Sequence, residues 1–169
     1  MKLIIAFAVA LFWLNLRVST MEKVDFANLT YPEFAGLHSV PLKNGAFCSP
    51  PDRDVCVDLG GPRFGDMTGD GLPEAAVSLH AVFRSGNGSH STGLLYTMRD
   101  GRPTLIGKFA GGDRANGGIV DYQIRNEQLI VERLQGSCAI CDDAIETDTF
   151  KWIDGRLRLV SSAIAKRPS

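Results

Sequence analysis

The chain has 169 residues, a length that suits one domain. Hydrophobic residues make up 44% and charged residues 22%, which excludes a largely disordered chain. The formal charge is −1 and the arginines are scattered between acids, so neither nucleic-acid binding nor a basic membrane-surface helix is indicated.

Residues 1–20, "MKLIIAFAVALFWLNLRVST", carry Lys2 and then an uninterrupted apolar run from Leu3 to Leu14. The run is short for a bilayer span and fits the apolar region of a secretory signal. Residues 1–20 are therefore read as a signal peptide and residues 21–169 as a single β-rich domain. Retention of the segment as an N-terminal anchor is one alternative, and Met21 as the true start is another. No further membrane insertion is expected. Without residues 1–20 the charge moves from −1 to −3, since Lys2 and Arg17 go and no acid does. The expected location is the periplasm or the extracellular space.

From Val24 to Asn44, Pro32 and Pro41 bar a long helix. Short extended pieces are expected near 26–31 and 39–42. Residues 45–54 hold Pro50-Pro51 and read as a loop. A strand is expected over 55–59, closed by Gly60-Gly61-Pro62. In "AAVSLHAVF" at 75–83, Val77, Leu79, Ala81 and Phe83 alternate with Ser78 and His80, the pattern of a strand with one core side and one wet side. A glycine-rich loop over 84–93 follows.

Three hairpins are expected after it. "YTMRDGRPTLI" and "FKWIDGRLRLV" each set an Asp-Gly turn between strand-like runs. Between them, "IVDYQIRNEQLIVERL" turns near Asn126-Glu127. The fold class is all-β and mainly antiparallel. The expected form is a small sandwich or strongly curved meander of about 8–10 strands with no long helix.

Four cysteines, Cys48, Cys56, Cys138 and Cys141, fall in the exported part. An even count there reads as two disulfides. The local pairing, Cys48–Cys56 with Cys138–Cys141, is preferred to a crossed pairing. "CAIC" at 138–141 also spells a redox motif, but no helix is indicated after it, and an oxidising compartment disfavours zinc.

The sharpest chemical signal is "DMTGDGLPE" at 66–74. Calcium takes six to eight oxygen ligands. Oxygen-bearing residues alternate here: Asp66, Thr68, Asp70, the carbonyl of Leu72, and Glu74. Gly69 and Gly71 suit sharp turns. The competing reading is a metal-free turn in which the carboxylates satisfy backbone N–H groups.

"FGDMTGDGLPEAAV", Phe64 to Val77, resembles the calcium loop of FG-GAP and VCBS-type repeats. That resemblance implies Asp66, Asp70 and Glu74 as carboxylate ligands and Leu72 as a carbonyl ligand. Thr68 departs from the usual Asn or Asp, and the loop occurs once. The wider layout, with "GGDRANGG" at 111–118, resembles a group of uncharacterised secreted or lipoprotein-like bacterial proteins. That group carries no established activity.

Asp113 and Arg114 in the 111–118 segment are a possible ligand loop, or a salt bridge that closes it. His80 and His90 flank one loop and could approach each other across a hairpin. No catalytic residue set is identified. The expected function is an exported cell-envelope module, non-enzymatic, acting on an unknown protein or glycan, with calcium as the one possible cofactor. The alternatives are a small exported hydrolase using loop carboxylates and an inhibitor of another exported protein.

Overall fold

A computed structural model describes residues 21–50, 54–86, 88–113, 116–135 and 144–166. Two 3-10 turns, Met21–Lys23 and Phe26–Asn28, open the chain. Eleven strands follow: β1 Thr30–Tyr31, β2 Val40–Pro41, β3 Ala46–Cys48, β4 Val55–Gly65, β5 Glu74–Phe83, β6 Ser89–Arg99, β7 Arg102–Asp113, β8 Asn116–Arg125, β9 Gln128–Gln135, β10 Ala144–Ile153 and β11 Arg156–Lys166. β1 pairs only with β2. The other nine form one sheet in strict chain order from β3 to β11, not closed into a barrel. The all-β antiparallel expectation holds, and no helix among the described residues is long and apolar enough to cross a membrane.

Turn chemistry explains the meander. Asp100-Gly101 joins β6 to β7, Asn126-Glu127 joins β8 to β9, and Asp154-Gly155 joins β10 to β11. Both central residues of each turn have positive φ, between 49° and 72°. That is the geometry whose twist matches paired antiparallel strands.

The sheet folds upon itself at one place. Among the described residues, β7 and β8 pair through a single parallel bridge, Asp113 to Gly117. The halves β3–β7 and β8–β11 therefore face each other in a sandwich-like arrangement. Their shared core contains Met67, Ala76, Leu95, Phe109, Tyr122, Leu129 and Val131. The opposite face of β4–β6 is covered by the N-terminal segment. Met21, Phe26, Tyr31, Phe34, Leu37, Val40 and Leu42 pack on Val55, Val57, Val77, Leu79, Leu94 and Tyr96. β5 and β6 thus lie in a middle layer.

Several expectations are corrected here. The wet side predicted for 75–83 is absent over most of β5, because Ala76 and Ser78 are buried under β8. Ser78 hides a polar side chain there, and its N–H donates to the Tyr122 hydroxyl (3.1 Å). β4 does not stop at Gly60-Gly61-Pro62 but runs to Gly65 through a bulge between Gly60 and Arg63. The Tyr122 hydroxyl donates to the Gly61 carbonyl (2.7 Å), filling that irregularity. Residues 46–48, expected as loop, form β3 against β4. The loop expected over 84–93 is shorter, since β6 begins at Ser89. Within it Gly93 is needed because a Cβ would overlap the Phe109 ring. The extended piece expected near 26–31 begins as a 3-10 turn and becomes a strand only at Thr30.

Candidate functional site

The 66–74 loop connects β4 to β5, and its two ends are pinned in the core. Met67 is 1% exposed and packs between the sheet halves. Glu74 is fully buried. Its Oε2 accepts the Met67 N–H (2.9 Å) and the Thr68 N–H (3.1 Å), and its Oε1 accepts the Thr97 hydroxyl (2.8 Å). A buried carboxylate must be compensated in this way.

The middle of the loop holds itself together. Asp66 Oδ1 accepts the Gly69 N–H (2.7 Å), and Oδ2 accepts the Gly71 N–H (2.8 Å). Asp70 Oδ1 accepts the Leu72 N–H (2.8 Å), an Asx turn. Gly69 and Gly71 have φ of 78° and 80°, which side-chain-bearing residues rarely adopt. The Thr68 hydroxyl oxygen is buried with no hydrogen-bond partner. Among the described residues no group of three or more His, Cys, Asp and Glu side chains is arranged to hold a metal ion.

One acid near the loop escapes sequence reasoning. Glu127, from the β8–β9 turn, sets its carboxylate 3.7–3.8 Å from where a Cβ at Gly69 would stand. Glu127 is 53 positions after Glu74, and only the fold of one sheet half over the other brings it here. Its turn was legible; its neighbour was not.

The remaining predicted residues are dispersed. Cys48 and Cys56 form a disulfide between directly opposed residues of β3 and β4. Cys138, Cys141 and Arg114 lie outside the described residues. Asp113 ends β7, opposite His90 on β6 and Gly117 on β8. His80 and His90 do not meet. His80 is registered with Ser91 and His90 with Ala81, so the two imidazoles leave opposite faces of the sheet. His90 instead stacks on Phe34, with ring centroids 5.8 Å apart.

A second polar cluster, also missed, lies between the sheet halves. Arg133 Nη2 reaches Asp148 (2.7 Å) and Glu146 (3.0 Å). Asp148 Oδ1 and Arg133 Nε are buried without partners. The alternation Glu146-Thr147-Asp148 on a strand, with Arg133 on a neighbouring one, was its only signal. All three tyrosines are buried, and burial pushes each phenol up: Tyr31 and Tyr122 are raised, and Tyr96 reaches about 12.

The fold and loop define a mainly antiparallel β-meander folded into layers, with a self-braced acidic turn between β4 and β5. The chain matches no protein-family model and no curated protein.

Proposed function

We propose that this chain is an exported, non-enzymatic binding or accessory module of the bacterial cell envelope, with the 66–74 loop as a structural calcium site. The carrying observation is the construction of that loop. Asp66 and Asp70 organise the backbone, Met67 and Glu74 anchor it, and the Thr68 hydroxyl is buried without a partner. Oxygens of Asp66, Thr68, Asp70 and the Leu72 carbonyl suit a hard cation. Glu74, fully buried and bonded to Met67, Thr68 and Thr97, acts as the anchor beneath them. Calcium bound there would neutralise the loop's carboxylates. Few charges point to a weak site, with Kd on the order of 10⁻⁴–10⁻³ M. The Cys48–Cys56 disulfide fits an oxidising compartment.

The test is a thermal melt of the oxidised protein in EDTA, then in excess calcium or magnesium. A calcium-specific rise of several degrees, lost in Asp70→Ala, supports the site, because a ligand of the folded state alone raises its stability. An unchanged melt makes the loop a turn. A turnover activity that depends on Asp66, Asp113 or His80 would overturn the non-enzymatic reading.

A second reading, an inhibitor or partner-binding protein, has one observation in its favour. β11 ends the sheet order and exposes Leu159, Val160 and Ile164. An open strand edge is a template for pairing with another chain.

A further inference from the structure

We propose that an open groove on the N-terminal face of the sheet is a binding site for a neutral glycan. The proposal rests on the reading of the chain as an exported binding module and names its ligand class. The groove is lined by Glu33, Phe34, Ala35, Gly36, His90, Thr92 and Lys108, and offers about 450 Å³ of largely solvent-open space. That is within the range of small-ligand sites.

One wall is a tight turn held in an unusual backbone. Phe34 and Leu37 exchange two N–H···O bonds of 3.0 Å. Ala35 and Gly36 between them have φ of 53° and 78°. Such turns favour Asn, Asp or Gly at the first position, and the Cβ of alanine makes this one strained. Strain of this kind gathers at ligand clamps. The turn is nevertheless fixed, because Phe34 and Leu37 are both buried in the core. The floor is formed by β6 and β7, with Thr92 on the first and Lys108 on the second.

The lining decides the ligand. The exposed His90 ring stacks on the buried Phe34 at an interplanar angle of 30° and is held as a flat aromatic edge. Among the described residues neither Glu33 nor Lys108 forms an ion pair. Both are exposed and carry opposite charges, so the pair gives the groove no net charge with which to select a charged ligand. A hydroxyl, which both donates and accepts, can use either side chain. A sugar hydroxyl donates to the Glu33 carboxylate and accepts from the Lys108 ammonium or the Thr92 hydroxyl. The C–H face of the ring then packs against His90, which Phe34 backs from the core. A shallow groove with one carboxylate, one ammonium, one hydroxyl and an aromatic rim is therefore suited to a polyhydroxylated ring.

The experiment is a titration of the ¹⁵N-labelled protein with maltotriose, cellotriose and triacetylchitotriose, each to millimolar concentration. Glycylglycine serves as a zwitterionic comparator. Saturable amide shifts at 33–37, 90–92 and 108 are expected with at least one sugar. Glu33→Gln and Lys108→Ala, both at exposed positions, should each weaken that sugar about tenfold while leaving the melting temperature unchanged. Absence of saturable shifts with all three sugars overturns the proposal, as does a response to glycylglycine alone. Saturable shifts confined to other residues overturn the groove but leave the binding-module reading standing. A turnover activity that depends on Asp66, Asp113 or His80 tests that reading separately, and the calcium melt tests the 66–74 loop.

Discussion

Replacing Glu74 tests whether the 66–74 loop is anchored from below. Its carboxylate is fully buried and, among the described residues, is the acceptor for the N–H groups of Met67 and Thr68. In Glu74→Ala both donors lose that partner, and so does the Thr97 hydroxyl. A buried donor left unpaired costs about 1–3 kcal/mol. The Thr68 N–H is only partly buried, and relief from burying a charge offsets part of the loss. The net expectation is a destabilisation of about 3 kcal/mol. Glu74→Gln keeps one carbonyl oxygen for the two backbone donors and turns an amide toward Thr97, whose hydroxyl can rotate to accept. Its cost should be only about 1 kcal/mol. Urea denaturation followed by the fluorescence of Trp152 reads both values. An Ala variant within about 0.5 kcal/mol of the parent protein would refute the anchoring argument. So would a Gln variant as damaged as the Ala variant.

Three further outcomes are expected. Tyr122→Phe strips the acceptor from the Ser78 N–H and the donor from the Gly61 carbonyl, and should cost about 2–3 kcal/mol in the same assay. Cys48→Ser with Cys56→Ser opens a short loop, and chain-entropy arithmetic puts the loss at about 2–3 kcal/mol; equal stability of oxidised and reduced parent protein would contradict it. Burial raises Tyr96 from 10.0 to about 12, and Tyr31 and Tyr122 move the same way. A raised folded value stabilises fully below pH 10 and is lost as pH climbs toward 12, so stability should start to fall near pH 10. Phenolate absorbance should correspondingly lag behind that of the urea-unfolded chain, and a native titration centred at the free-tyrosine value would disprove the burial.

The hairpins were legible because their causes are local. Asp100-Gly101, Asn126-Glu127 and Asp154-Gly155 write their turn geometry into two residues each. The Cys48–Cys56 bridge was legible for a similar reason, as the near choice among pairings. What was illegible depends on layers. Nothing within "AAVSLHAVF" says that Ser78 will be covered by a tyrosine 44 positions later. Pro62 looked like a terminator, yet a bulge lets β4 continue past it. Residues 21–42 carry too little periodicity to announce that they form a whole layer of core. In the candidate site, spacing placed Asp66, Thr68 and Asp70 in one loop. It could not show that Glu74 turns inward to serve amides, or that Glu127 arrives from the far half of the sheet.

The strictly sequential strand order has a consequence for how the molecule assembles. Every neighbour in the nine-stranded sheet is also a neighbour in the chain, so each hairpin closes a short loop at low entropic cost. Closing one half over the other is different, since Tyr122 must reach Gly61 and Ser78 across 61 and 44 positions. Hairpin formation and layer closure are thus expected to separate in time, with the hydroxyl of Tyr122 engaged in the later step. Tyr122→Phe should accordingly speed unfolding while leaving the refolding rate nearly untouched. Amides of β5, protected from both sides, should be the last to exchange with solvent, and those of β11 among the first.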